Sequence, residues 1–354
     1  MAKINKIRLI KAIVFSLFLG ITVFYLFDKI KTTEIKSKAP LAINGILDTT
    51  TWDFSKKGFL KLDGAWEFYW KNFYTPKDFS DFKNLNSTIR ITPPSYQLVP
   101  SIWNSYFDHE NQLDGKGYAT FRLRIKLKDY NHVYAIKIID IATSYKVWID
   151  GEELWKAGKL GMSKEESSPA YNSKVLEFKP SNEYVEIVFH VSNFYHSKGG
   201  LWNFIEFGLA EHIEESRESQ TNFEFFMFGS LSIMAFYHFG LYALRKKDKS
   251  TLFFGLVCFI IAIRILLTGE RYLFKLSEDT VYWITLVKLE FMTVYLTTPF
   301  FILFLESIYP KDTKKIISHV SLGIGIIFSL ITLLLDTYIT TGLVKYFQVL
   351  LLFL

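Results

Sequence analysis

Cysteine is all but missing from this chain: Cys258 is the one example among 354 residues. A lone thiol inside an apolar run excludes a disulfide framework and a thiolate metal cluster, so an exported domain would have to stand on its own packed core. Charge is thin as well. Only 21% of residues are charged against 50% hydrophobic, and mean hydropathy is +0.17, more apolar material than one soluble core needs. The balance points to a soluble domain joined to a membrane domain. There is no Walker loop, no dinucleotide glycine pattern and no HExxH; the seven histidines are scattered without ligand spacing, and the acidic residues show no paired pattern. Nucleotide, nicotinamide and metal chemistry are therefore not signalled, no cofactor is expected, and the chain does not read as an enzyme. The net charge of +6 comes mostly from Lys and Arg beside apolar segments, where they act as topology signals and not as a nucleic-acid surface.

What is present divides along the chain. Residues 1–28 open with Lys3, Lys6, Arg8 and Lys11 and turn apolar from Ala12 to Phe27. Phe24-Tyr25-Leu26-Phe27-Asp28 offers no small-residue cleavage site, which favours an uncleaved signal anchor over a cleaved signal peptide. A polar, Lys-rich linker, 29–44, follows. From 45 to 215 the hydrophobic period becomes two. Residues 121–127 put Phe121, Leu123, Ile125 and Leu127 on one face and Arg122, Arg124 and Lys126 on the other. Shorter strands are expected at 134–139, 145–149, 152–154, 185–191 and 204–207, with Asp150-Gly151 as a type I′ hairpin turn. Many short strands with Gly and Asx turns predict an all-β jelly-roll sandwich.

From 219 onward the pattern predicts an all-α polytopic membrane bundle, with spans at 223–244, 252–272, 281–305 and 316–335. A fifth, 342–354, falls short of the roughly 20 residues a bilayer-spanning helix needs. Lys3, Lys6, Arg8 and Lys11, then Arg245, Lys246, Lys247 and Lys249, then Lys311, Lys314 and Lys315 mark cytoplasmic segments by the positive-inside rule. The expected location is the inner membrane, multi-pass, with residues 29–220 extracytoplasmic.

Three groups of residues carry candidate function. Ser192 to Trp202 ends a strand in polar and aromatic residues and a double-glycine turn. Asn193 and His196 can hydrogen-bond a sugar hydroxyl or carboxylate, Trp202 can stack on a sugar ring, and Gly199 and Gly200 let a ligand approach the backbone. The competing reading is a structural loop at the rim of the sandwich. Trp66, Phe68 and Trp70 would form either a carbohydrate platform or one inward row of a strand, and the alternation favours the second. In the bundle, Arg264, Lys288 and Glu290 are charges at membrane depth, where such groups normally face the interior and pair. Arg264 and Glu290 are placed to meet, with His238 as a possible third member. They read as a switch contact or as a static pair that fixes helix packing.

Several of these stretches together resemble a known family: Gly64-Ala65-Trp66-Glu67-Phe68-Tyr69-Trp70, Pro93-Pro94, Gly117 to Leu123, Val147-Trp148-Ile149-Asp150-Gly151, and Ser192-Asn193-Phe194 through Gly199-Gly200. They are similar to the galactose-binding-like jelly roll of bacterial seven-transmembrane receptors with diverse intracellular signalling modules. Lys288-Leu289-Glu290-Phe291 and the Tyr309-Pro310 exit resemble that family's helical domain. The resemblance implies an extracytoplasmic domain that binds a carbohydrate or other small ligand, a helix block that relays occupancy, and a cytoplasmic output module. It also implies seven helices where five are countable, so a truncated chain is expected. A homodimer fits such a receptor. Two rivals stay open: a glycosidase-like membrane enzyme, which would need two carboxylates across a cleft, and a structural or adhesive surface protein.

Overall fold

The computed structural model describes residues 39–81, 94–108, 110–313 and 315–352. The signal anchor, most of the linker, Pro93 and Lys314 lie outside the described residues.

The first part of the chain is a two-sheet sandwich. Its strands in order are β1 (Ile46–Asp48), β2 (Leu60–Lys61), β3 (Gly64–Trp70), β4 (Ser95–Val99), β5 (Phe107–Asp108), β6 (Asn111–Gln112), β7 (Gly117–Lys126), β8 (Tyr134–Ile138), β9 (Ser144–Ile149), β10 (Glu152–Ala157), β11 (Lys174–Phe178), β12 (Tyr184–Asn193) and β13 (Glu206–Leu209). The larger sheet runs β10-β9-β12-β7-β3-β4, with β1 added in parallel to β7; the smaller runs β11-β8-β13-β2. The long central pair β7 and β12 is antiparallel with Phe121 opposite Phe189 and Ile125 opposite Val185, so the expected alternation fixes the register. Phe121, Leu123, Ile125, Ile187 and Phe189 are fully buried, as are Ile136 and Phe207 of the smaller sheet. The Asp150-Gly151 turn has φ of 48° and 85°, as a type I′ hairpin requires.

Trp66 and Phe68 face this core and Trp70 packs edge-on against Trp103 at 5.2 Å, so the row is core and offers no ligand platform. On the other face of the larger sheet, Arg122 joins Glu67 at 2.9 Å and Glu186 at 2.5 Å. Two short helices, α1 (Phe54–Lys57) and α2 (Pro76–Asp81), decorate the sandwich; Phe79 of α2 closes a cluster with Tyr69, Trp148 and Val188.

The second part is a helix bundle: α3 (Ala210–Leu244), α4 (Lys249–Leu267), α5 (Thr280–Ile308), α6 (Lys315–Leu334) and α7 (Thr337–Leu352). Four of these, α3 to α6, are long and apolar enough to cross a bilayer, and the chain is a membrane protein. Three boundaries differ from expectation. Helix α3 starts at Ala210, inside the stretch assigned to the sandwich, because β13 runs straight into it and the Ala210 N–H donates to the Val133 carbonyl. Its first turns bury Ile213 against Ala135 and Val175 of the smaller sheet. The second span stops at Leu267 and not at 272, because Gly269 and Arg271 both take φ of 58°, a left-handed conformation no helix continues through. The last helix begins at Thr337, with Asp336 accepting from the Tyr338 N–H.

The sandwich and the bundle are packed together. Tyr171 of the sandwich is buried among Leu267, Phe274, Trp283, Leu286 and Val287, and Tyr195 packs on the same cluster. Polar contacts flank this seal: Lys164 pairs with Asp336 at 2.6 Å, the Tyr338 hydroxyl donates to Asp114 at 2.6 Å, and the Ser197 N–H donates to the Thr341 hydroxyl at 2.9 Å.

Candidate functional site

The loop after β12 is built around Asn193. Its amide nitrogen donates to the carbonyls of Gly115 and His196, both at 2.7 Å, and of Lys198 at 3.3 Å, while its oxygen accepts from the His196 N–H at 3.1 Å. The amide nitrogen and oxygen of this fully buried side chain are both engaged by the backbone, so Asn193 fastens the turn and ties it to Gly115. Gly199 and Gly200 also serve packing. A Cβ at Gly199 would stand 2.3 Å from the Trp103 indole, and Gly200 takes φ of 98°. These three candidates belong to the frame of the loop.

His196 and Trp202 leave that frame. Their rings meet edge-on at 4.7 Å and both line a cavity of about 500 Å³ between the sandwich and the bundle. Burial pushes the His196 imidazole down to about 4, so it is neutral near pH 7. Its Nδ1 lies 3.0 Å from both the N–H and the carbonyl of Lys198. Both the carbonyl and the N–H of Lys198 are within hydrogen-bond distance of Nδ1, so the imidazole is fastened to the loop through that nitrogen. The Trp202 indole N–H is buried without an acceptor.

The bundle wall of the same cavity carries Arg264 and Glu290, which sequence reasoning had placed in a separate group. They do meet, but not charge to charge. Arg264 Nη1 donates to the backbone carbonyl of Glu290 and to the Thr293 hydroxyl, each at 3.1 Å. The Glu290 carboxylate goes instead to Arg271, at 2.6 Å. Lys288 lies elsewhere, donating to the Leu333 carbonyl near the end of α6, and His238 sits on α3 against Tyr237 and Phe254 with Nδ1 on the Met234 carbonyl. Neither lines the cavity.

Arg271 is the residue the sequence reading missed. From its left-handed position between α4 and α5 it extends Nη2 to Asp140, just past β8, at 2.5 Å and Nη1 to Glu290 of α5 at 2.6 Å, with its guanidinium over the Tyr171 ring at 4.5 Å. Burial alone would lower its pKa, but Asp140 and Glu290 raise it well above the ordinary Arg value, so it stays charged. Its neighbour Glu270 is equally buried and meets Lys137 of β8 at 3.2 Å, accepts from the Ser173 hydroxyl at 2.8 Å, and lies 3.6 Å from Arg217 and Lys275. Burial pushes the Glu270 carboxyl up, yet Ser173 and Lys137 hold it below the usual range. Two signals could have found this set: a Glu270-Arg271 couple at the mouth between two apolar spans, and Lys137 inside a strand that is otherwise apolar.

A second cavity, of about 580 Å³, opens in the sandwich between the 50–55 and 128–134 segments and is lined by Trp52, Asp53, Asp129, Tyr130 and His132 among others. Among the described residues, no group of three or more His, Cys, Asp or Glu is placed to hold a metal ion.

Comparison with known proteins adds one firm match. Residues 220–354 match the family described as 7TM diverse intracellular signalling. No curated protein sequence matches the chain. Among solved structures, a GH2 β-galacturonidase from Eisenbergiella tayi is similar with a TM-score of 0.29 and 12% identity, over 43% of this chain and 24% of that one. A β-glucuronidase from Ruminococcus gnavus is similar with a TM-score of 0.30 and 14% identity, over 43% of this chain and 29% of that one. The chain spans less than a third of the length of either enzyme, and so slight a likeness says nothing of activity.

Proposed function

We propose, from the match of residues 220–354 to the family described as 7TM diverse intracellular signalling, that the protein is a transmembrane receptor whose sandwich takes a small ligand in the interface cavity and passes its occupancy to the helices. The observation that carries this reading is the shared wall: His196 and Trp202 of the sandwich and Arg264 and Glu290 of the bundle line one cavity. Arg271, on the same wall, is held by a carboxylate from each side.

The charge pattern supports an inner-membrane receptor with the sandwich outside the cytoplasm. Arg245, Lys246 and Lys247 join α3 to α4, and Lys311 and Lys315 flank the turn between α5 and α6. Both lie at the bundle end opposite the loops that touch the sandwich, as the positive-inside rule asks. Relay then needs a ligand that binds one arrangement of the interface better than another. Moving a two-state equilibrium from 1:99 to 99:1 takes about 5.5 kcal/mol of differential binding. Freeing one partner of a buried ion pair costs about 3–5 kcal/mol, so the Asp140–Arg271–Glu290 contact is of the right size to set such a balance.

Binding fits the cavity better than hydrolysis does. Among the described residues Glu290 is the one carboxylate on its lining and is engaged by Arg271, whereas a glycosidase site works with two carboxylates roughly 5–9.5 Å apart.

The test is a thermal-shift screen of the full chain in nanodiscs against sugars, polyols, amino acids and small acids. A ligand at about 100 times its dissociation constant stabilises by roughly 2.7 kcal/mol. The expected result is a stabilising compound whose effect is lost both in Trp202→Ala, on the sandwich wall, and in Glu290→Gln, on the bundle wall. A compound indifferent to both and sensitive to Trp52→Ala would move the ligand site to the second cavity and overturn the proposal.

A further inference from the structure

We infer that the ligand of the interface cavity is a small organic acid whose carboxylate is held by Arg264; this rests on the reading of that cavity as the receptor's ligand site.

The first argument is the state of Arg264. It lies in the membrane-spanning helix α4, yet no carboxylate of a described residue comes within ion-pair distance. One of its nitrogens, Nη1, is used, on a carbonyl and a hydroxyl; Nε and Nη2 make no hydrogen bond to a described residue. A guanidinium at such depth is costly unless it is paired or faces a polar cavity. Lys288 shows the contrast: it settles on the carbonyl of Leu333 near the C-terminus of α6, where the helix dipole favours a cation. Arg264 has no such end to lean on and faces the cavity.

The second argument is the sense of the remaining hydrogen-bonding groups. Arg271 Nε and Trp202 Nε1 are both buried donors without an acceptor, and both residues line the cavity. With Nε and Nη2 of Arg264 they add donors to a lining that also carries the Thr298 hydroxyl, the Gln348 amide and the Glu290 carboxylate. Unsatisfied donors match a group that accepts, and a carboxylate takes two N–H bonds from a guanidinium at once.

The third argument is charge. Lys198, Arg264 and Arg271 line the cavity against Glu290 alone; counting Asp140 behind Arg271, three cations face two carboxylates. Lys198 is exposed at the mouth and makes no ion pair with a described residue. The remaining lining, with Phe291, Val294, Thr298 and Gln348, suits an organic body of mixed polarity and not a bare inorganic ion.

The test uses the full chain in nanodiscs of zwitterionic lipid and two matched pairs of probes, gluconate with sorbitol and succinate with 1,4-butanediol, read by calorimetry. The expected result is binding of an acid without binding of its neutral partner. Arg264→Gln should weaken that acid tenfold or more, the loss of a charge-assisted hydrogen bond. Lys198→Gln, an exposed substitution that leaves the fold alone, should weaken it several-fold and reduce its salt dependence. Lys288→Gln should leave it unchanged. Equal binding of the neutral partner, or no binding of either acid, overturns the inference. So does stabilisation by phosphatidylglycerol nanodiscs that requires Arg264, since the occupant would then be a lipid headgroup. An acid that binds through Arg264 but leaves hydrogen exchange at 268–279 unchanged upholds this inference and defeats the receptor reading.

Discussion

Glu270 and Arg271, neighbours in the chain, each grip the sandwich at the same strand: Glu270 meets Lys137 within β8 at 3.2 Å, and Arg271 meets Asp140 just beyond it at 2.5 Å. The short loop between α4 and α5 is thus joined to the sandwich by two oppositely charged contacts. A movement of β8 relative to the bundle has to break or shift both.

The Arg271 contact gives the sharpest stability prediction. Arg271→Ala leaves Asp140 and Glu290 buried together without their cation and should cost about 3–5 kcal/mol. Arg271→Lys keeps the charge but cannot span both carboxylates with a planar fork, so an intermediate loss is expected. Denaturant unfolding of the full chain in detergent checks both, and Asp140→Asn in the Arg271→Ala background should recover part of the loss.

Acid sensitivity should arise in two windows. His196 has its pKa lowered to about 4 by burial, so the unfolded chain binds a proton that the folded loop resists. Stability is therefore lost as pH falls from the ordinary His value of about 6.5 toward 4, by about 3 kcal/mol at most. His190, also lowered to about 4 by burial, adds to the same window. Glu270, held below the usual carboxyl range, contributes stability that is complete above about 4.3 and is lost as pH falls through its folded value. Melting curves taken from neutral pH down past the folded Glu270 value should show His196→Gln flattening the first window and Glu270→Gln the second.

Asn193→Ala should act on stability before it acts on binding. It strips donors from three buried or partly buried carbonyls, an expected cost of about 1–3 kcal/mol. Gly199→Ala would drive a methyl group into the Trp103 indole and should cost a similar amount. Thermal unfolding of each variant measures this; a variant of unchanged stability would argue against the fastening role.

Substitutions at two of the sequence candidates should do little. Lys288→Ala loses one partly exposed hydrogen bond and His238→Ala a half-exposed ring contact, so each should stay within about 0.5 kcal/mol of the parent and leave ligand binding intact.

The division of the chain into sandwich and bundle was legible because each element has its own period. Phe121 to Leu127 alternates as a strand with one buried face, and the apolar stretches after Glu218 are of bilayer length. His196, Trp202, Arg264 and Glu290 were also visible, as a strand-end loop and as charges in spans. That they share a cavity was not, since nothing local tells a loop near residue 196 that it will dock on helices more than sixty positions later. Asn193 and the two glycines take part in the frame of the loop, and residues that shape a tight turn are the same types that contact ligands. Arg271 went unnoticed because α4 was expected to run on past it, and only the left-handed backbone at Gly269 and Arg271 turns its side chain toward Asp140.

The central claim is that sandwich and bundle answer to one another through Arg271. Its most direct test is hydrogen exchange of the full chain in nanodiscs, comparing the parent with Glu290→Gln. The substitution is on α5, so a coupled interface should speed exchange in the sandwich, at the end of β8 and in the 194–202 loop, as well as at 268–279. Changes confined to the bundle, with the sandwich amides untouched, would contradict the account.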